Sequence, residues 1–389
     1  MTESADILFY VQHLLGIGHL RRAALIAKAV DRAGVSVAFV SGGMPVPGLD
    51  IGGAAFVQLP PLRTADQYFS ALVDATGRPI DDAWRGARRD RLLALLEAVR
   101  PRMLLTEMFP FGRRQLRFEL IPLLEAAGTR RPRPLVVSSV RDVINRPGKP
   151  GKADWIVETL RRHFDRALVH GDPSFLTLEA SFPEAAQIAD MLDYTGYVVN
   201  SLPESTDATG EGAGEVLVST GGGAVAEPLI DAVLAARPLT PLKTRTWRIL
   251  AGHNLPEATF GAYRKRAGDG VILERARPDF LDLLARAELS ISQAGYNTVM
   301  EVLAAGTPAV VVPFAGGAET EQSLRAGLLA ERGLLTVVEE AELDGPTLAA
   351  GIDRALARSG ATRPSVALAT DGAARTADML ARMLAIVAA

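Results

Sequence analysis

Cysteine is absent from the 389 residues, so disulfides, a thiolate nucleophile and a cysteine-held metal are excluded from the start. Histidine is scarce as well, with five in the chain, and neither an H-E-x-x-H helix nor a D-x-D pair occurs. Metal-assisted chemistry lacks its usual ligand patterns, and the expectation is no metal and no cofactor. No G-x-x-x-x-G-K-[ST] run and no G-x-S-x-G elbow occurs, which leaves P-loop nucleotidases and serine hydrolases unsupported. No apolar stretch approaches the roughly 18 to 20 residues of a bilayer span. The opening MTESADILFYVQHLLGIGHL has no basic n-region or cleavage site. A cytoplasmic protein without a transmembrane segment is expected.

A large excess of one charge is missing too. The net charge of −3 argues against a nucleic-acid partner. Residues 1–200 carry 25 Lys and Arg against 22 Asp and Glu, a balance of +3, which leaves 17 against 23, or −6, for the rest. Arginine is dense from Arg78 to Arg146, with Arg85, Arg88, Arg89, Arg91, Arg113, Arg114 and Arg117 among them. These could meet an anionic acceptor or touch an acidic membrane surface peripherally, although charged helix faces usually just face water.

What is present is a hydrophobic fraction of 48% over a length that exceeds a single core, so two domains are expected. Short apolar runs at 7–11, 35–40, 55–59, 103–106, 135–139, 167–169 and 194–199 read as strands, separated by helical patterns at 19–33, 82–100, 113–127 and 155–164. The helix at 113–127 is expected to be interrupted near Pro122. Residues 60–82 show little periodicity, and a loop of that length tends to bind something. A polar Gly- and Ser-rich stretch, 201–214, reads as a linker. A second set of strands follows at 216–219, 247–250, 271–273, 289–291, 309–312 and 335–338, and the chain closes on a helix at 372–388. Repeated βα units predict parallel sheets covered on both faces.

The densest chemistry lies in LSISQAGYNTVMEVLAAGTPAVVVPFAGGAETEQSLR, residues 289–325. Strand 289–291, a small polar turn at 292–297 and a helix at 298–306 form a crossover, and its loops fall at the carboxyl ends of the strands. Backbone N–H groups at a helix start attract anions, and Ser292, Gln293, Asn297 and Thr298 add neutral donors around Gly295. Glu301, a turn further on, could accept hydrogen bonds from a ribose diol. Simple capping of the helix by Ser292 or Asn297 fits the same residues.

The run Ser292-x-x-Gly295-x-x-Thr298-x-x-Glu301, then Ala304-x-Gly306-x-Pro308, Val312-Pro313-Phe314 and Glu321-Gln322, resembles the donor-binding motif of the family 28 glycosyltransferases, which include the MurG-type enzymes. The resemblance implies a GT-B fold, two Rossmann-like α/β domains with parallel sheets facing across a cleft. Residues 1–200 would then bind the acceptor and 215–370 the nucleotide sugar, with 371–389 a helix packing back on the first domain. It also implies that Glu301 holds the ribose and that Glu321 and Gln322 contact the donor sugar. Glu321 stands where many relatives carry Gln, His or Asp. The glycine turn Ser219-Thr220-Gly221-Gly222-Gly223 matches the turn that opens the donor domain, and Arg275 could offset phosphate charge.

The first glycine loop, Gly16-Ile17-Gly18-His19, superficially suggests a dinucleotide fingerprint, but Arg21 occupies the third glycine position and no acid follows the second strand, so NAD is not expected. In the family a GxGGH-type turn occupies this place, with its histidine at the active centre. His19 is thus the expected general base, kept neutral beside a helix N-terminus. Glu107 could orient His19 or bind the acceptor, and Phe109 and Phe111 could form an apolar wall, but a helix-leading acid with two core aromatics fits the same residues; His13 could orient substrate or simply pack. Ser138, Ser139, Arg141 and Asp142 sit beyond another strand end and are equally ambiguous. The resemblance implies a metal-independent inverting transfer from a UDP-sugar, as co-substrate, to an acceptor nucleophile of unnamed class. Gly18-His19-x-x-Arg22 also resembles the turn of UDP-sugar hydrolases of nonulosonate biosynthesis, which leaves hydrolysis open, and a binding module without turnover is a third reading.

Overall fold

The structure is a computed structural model that describes residues 4–66, 71–145, 150–200, 209–223, 226–314, 316, 320–359 and 368–388. Residues 201–208 of the expected linker lie outside the described residues. The chain divides into two compact units, Met1–Val199 with Leu368–Ala389, and Asn200–Ala367.

In chain order the first unit holds β1 (Ile7–Val11), α1 (Gly18–Arg32), β2 (Val37–Ser41), β3 (Ala55–Gln58), β4 (Leu62–Thr64), β5 (Leu72–Asp74), α2 (Asp82–Val99), β6 (Met103–Glu107), α3 (Arg117–Thr129), β7 (Leu135–Arg141), α4 (Lys152–His163), β8 (Arg166–His170) and β9 (Leu192–Tyr194). The second continues with β10 (Val216–Ser219), α5 (Glu227–Ala236), β11 (Trp247–Ala251), α6 (Glu257–Arg266), β12 (Val271–Arg275), α7 (Phe280–Arg286), β13 (Leu289–Gln293), α8 (Tyr296–Ala305), β14 (Ala309–Val312), α9 (Glu321–Glu331), β15 (Thr336–Val337) and α10 (Gly345–Ser359). The last helix, α11 (Gly372–Ala388), belongs to the first unit.

The first sheet runs β3-β2-β1-β6-β7-β8-β9 and the second β12-β11-β10-β13-β14-β15, each parallel throughout. Helices cover both faces, so central strands such as β1, β2 and β6 are buried at every position, and the sequence shows them as unbroken apolar runs rather than alternating ones. The strand order reverses between β1 and β6 in the first sheet and between β10 and β13 in the second. At such switch points neighbouring loops leave in opposite directions and open a crevice at the carboxyl ends of the strands.

Several expectations are corrected. Residues 60–82 are not all loop: among the described ones, 62–64 and 72–74 pair as the antiparallel strands β4 and β5, each too short to show a period of two. Pro122 does not interrupt its helix, since α3 runs through it from 117 to 129. The strand expected at 194–199 is β9 at 192–194, and Val198 makes only an isolated bridge to Asp371. α8 begins at Tyr296, two residues early, so Asn297 and Thr298 lie in its first turn while Ser292 and Gln293 end β13. Ser138, Ser139 and Arg141 are part of β7, not beyond it.

Candidate active site

The carboxyl edge of the first sheet places His19 and Glu107 on either side of the switch point. β1 ends in Val11, and the turn to α1 passes through exposed Gly16 and Gly18. The N-cap residue of α1, Ile17, makes no side-chain cap, and no acid lies in the first turn. That helix start therefore keeps its positive end uncompensated. His19 is its second residue, with its side chain 12% exposed. Glu107 closes β6 on the neighbouring strand, fully buried. Beyond it the backbone turns sharply: Met108 has φ +68° and Arg113 φ +61°, both left-handed conformations that non-glycine residues seldom adopt.

Glu107 Oε1 lies 3.0 Å from His19 Nδ1 and also pairs with Arg22, one helical turn beyond His19 on the buried face of α1. Its other oxygen, Oε2, accepts from Ser139 Oγ at 2.6 Å. His19 Nδ1 also faces the Arg22 guanidinium at 3.4 Å, but the carboxylate oxygen at 3.0 Å is the closer partner and can only accept, which favours the hydrogen on Nδ1 and an unprotonated Nε2. Burial, followed by the positive charges of Arg141, Arg113 and Arg22, holds the His19 imidazole well below its ordinary pKa. His13 is lowered to about 4, by burial and then by Arg113. Arg113 itself falls to about 10 because burial and Arg141 disfavour its charge, and its Nε donates to the Gln12 carbonyl at 2.9 Å. The histidine stands in a strongly positive surround, neutral and able to take a proton.

Two expectations fail here. Phe109 and Phe111 form no acceptor wall. Both are buried, Phe109 edge-to-face with Trp155 at 5.8 Å and Phe111 with Phe182 at 5.9 Å, because the turn after β6 folds them into the core. Arg88 is no surface cation either: its guanidinium is buried and binds Glu119, Gln12 and the carbonyls of Gly42 and Pro60. That pair ties α2 and α3 to the ends of β1 and β2 and so supports the loop that carries His13. Arg22 and His170 were missed in the sequence roles. The signal for Arg22 was a cation in step with Ile26 and Val30 on an otherwise apolar face.

In the second unit the Ser219 loop and the β13-α8 turn flank the other switch point. A Cβ on Gly221 would meet Gln293 Oε1 at 3.4 Å, so the two loops adjoin. Gly223 has φ +86°, and a Cβ there would lie 2.6 Å from the Gly252 carbonyl, so this glycine serves close packing of the turn after β11. Gly295 differs: its φ is −62°, and a Cβ would touch nothing within 4 Å. α8 starts there with no side-chain cap and no acid in its first turn. Ser292, fully buried at the end of β13, has an Oγ with no hydrogen-bond partner among the described residues. Asn297 and Thr298 lie in the first turn, and Glu301 one turn on accepts from Asn200 Nδ2 at 3.0 Å.

Three donor-side residues have other employment. Arg275 donates to the carbonyls of Gly252 and Leu255, pairs with Glu257 and lies 4.2 Å over Phe260, so its side chain holds the turn after β11. Glu321 is buried and bonded at 2.8 Å to Arg325, which stacks on Tyr296. Gln322 Oε1 accepts from the Phe314 N–H at 3.2 Å and so shapes the segment after β14. Among the described residues no helix is long and apolar enough to cross a membrane.

Similarity to solved structures extends over the whole chain. The glycosyltransferase of kitacinnamycin matches with a TM-score of 0.63 at 16% identity, covering 98% of this chain and 99% of that one. Acinetobacter baumannii MurG matches with a TM-score of 0.57 at 15% identity, covering 98% and 99%. The class is accordingly a two-unit α/β protein of the GT-B fold. Residues 216–378 match the model of the Glycosyltransferase family 28 C-terminal domain, a stretch that takes in most of the second unit and the start of α11. Related sequences include the UDP-N-acetylglucosamine--N-acetylmuramyl-(pentapeptide) pyrophosphoryl-undecaprenol N-acetylglucosamine transferases of Gloeobacter violaceus, 38% identical over 104 residues, and Paramagnetospirillum magneticum, 31% identical over 188. The matched segments are 25% and 45% of this chain, and span 29% and 50% of those proteins.

Proposed function

We propose that this protein is a metal-independent inverting glycosyltransferase that moves a hexose or N-acetylhexosamine from a UDP-sugar to a nucleophile of its acceptor. The observation that carries the reading is the neutral His19 held by Glu107 at one switch point, in a chain whose other switch point is built as a family 28 domain. His19 Nε2 takes the proton of the acceptor hydroxyl as its oxygen bonds the anomeric carbon. The bond from that carbon to the diphosphate breaks with its electron pair, so attack from the opposite side inverts the centre. The diphosphate lies at the open start of α8 and the Gly221–Gly223 turn, where N–H groups and the helix dipole stabilise the developing charge. Glu301 accepts from the ribose diol.

A thermal-shift titration with UDP, GDP, dTDP, ADP and NAD tests it first. A ligand at about 100 times its dissociation constant stabilises the fold by roughly 2.7 kcal/mol. UDP is expected to raise Tm and to lose that effect in Glu301→Ala. A shift with another nucleotide changes the donor, and none with any diphosphate removes the reading. Arg22, in the turn that resembles the sugar-nucleotide hydrolases, pairs with Glu107 and gives a second reading its footing. UDP release from UDP-sugars without acceptor at the rate seen with it would favour hydrolysis.

A further inference from the structure

Beyond Glu107, a line of buried polar side chains runs across the carboxyl edge of the first sheet, along β6, β7, β8 and the residue after β9 in spatial order. Glu107 Oε2 meets Ser139 Oγ at 2.6 Å, Ser139 Oγ meets His170 Nε2 at 2.9 Å, and His170 Nδ1 meets Thr195 Oγ1 at 2.8 Å. Ser139, His170 and Thr195 are all buried away from bulk solvent. We infer that Ser139 and His170 are positioning residues, forming with Thr195 a one-way hydrogen-bond chain that holds Glu107 as an acceptor and so fixes the Nδ1–H tautomer of His19. That His19 is the base rests on the proposed function; the chain itself does not.

Its direction follows from counting hydrogens. A hydroxyl has one, and a neutral imidazole has one. The Arg22 guanidinium donates to Glu107, and a carboxylate within an ion pair accepts, so the Ser139 hydrogen points to Oε2. Ser139 Oγ must then accept from His170, which places the His170 hydrogen on Nε2. His170 Nδ1 is left bare, and Thr195 Oγ1 donates into it. Burial and the charge of Arg22 keep His170 below its ordinary pKa, consistent with a single ring hydrogen. A protonated Glu107 would reverse every bond: Ser139 would donate to His170, His170 Nδ1–H to Thr195, and Thr195 to the Gly196 carbonyl 3.1 Å away. The tautomer of His170 therefore reports the charge of Glu107 two side chains off. A cluster that merely filled the interior would have no reason to pass its polarity on to His19.

The test uses the full chain labelled with 15N-histidine and long-range 1H–15N spectra near pH 7.5, with each of the five histidines assigned by substitution. His19 is expected as the Nδ1–H form and His170 as the Nε2–H form. Ser139→Ala should leave His19 as a mixture of both neutral forms. Where that variant does not fold, Thr195→Val, close in shape, should move the His170 Nδ1 resonance and broaden its tautomer preference. An Nδ1–H His170 in the wild type, an unchanged His19 in folded Ser139→Ala, or an unchanged His170 in Thr195→Val overturns the inference. No substrate enters the measurement, so a failure of the sugar-transfer reading shows in the nucleotide titration and not here.

Discussion

All four histidines of the first unit are pushed toward the neutral form by the fold, and this sets both chemistry and acid stability. His13, His19, His163 and His170 all lie below the ordinary value of 6.5, with burial as the first cause in each. The unfolded chain takes up protons below pH 6.5 that the native chain refuses, so stability is full above that pH and falls as the solution is acidified. For His13, with a native value of about 4, the loss reaches about 2 kcal/mol by pH 5, at about 1.36 kcal/mol per unit. Urea midpoints between pH 7.5 and 5 should fall accordingly, and the fall should be shallower in His13→Gln. Activity should follow the same sign at His19: its acid limb lies below pH 6.5, and a pH–rate profile that breaks at or above 6.5 would take the base role from it. The imidazole was legible in the sequence from its place after Gly16 and Gly18. Its neutral tautomer was not, because that depends on Glu107, Ser139 and Arg141, which come from other elements.

At the scale of elements, the glycines of the donor domain separate into two kinds that look alike in the sequence. Gly223 is required by its own backbone and by the Gly252 carbonyl, whereas Gly295 has room on every side. Gly223→Ala should destabilise the second unit by about 1 to 3 kcal/mol, the cost of a strained left-handed residue, before any contact with Gly252 is counted. Gly295→Ala should cost less, about 0.5 to 1 kcal/mol as an N-cap change. The new methyl stands at the start of α8, however, and nucleotide affinity should weaken severalfold by calorimetry with a smaller drop in Tm than in Gly223→Ala. Equal stability losses in the two variants would mean that Gly295 is structural after all. Most strands and helices were legible from their apolar runs. The β4-β5 hairpin was not, since three-residue strands give no period, and neither were the partners that folding brings beside Arg275 and Glu321, the Gly252 carbonyl and Arg325.

For the molecule as a whole, the path of the chain makes its end part of its beginning. α11 packs on α1, burying Ala377, Leu380 and Leu384 in the same core as Leu20, Ala23 and Ile26. The segment before it is tied down by Tyr197 N–H to the Ala369 carbonyl and Gly372 N–H to the Tyr197 carbonyl. Truncation after residue 370 should strip one face of α1 and lower the melting transition of the first unit by several degrees or abolish it. The transition of the second unit, followed separately on residues 209–359, should stay where it is; an unmoved first transition would show α11 to be dispensable. The sequence by itself determined the class of sheet, the presence of two α/β sets and the glycine turns with His19 and Glu301, because apolar runs and turn residues act within a few positions of the chain. Only the tertiary structure decided that Glu107 stands beside His19, that Phe109 and Arg88 point inward, and that His170 joins the line. Side chains far apart in sequence meet where parallel strands end together, and that register is set by the packing of the whole sheet.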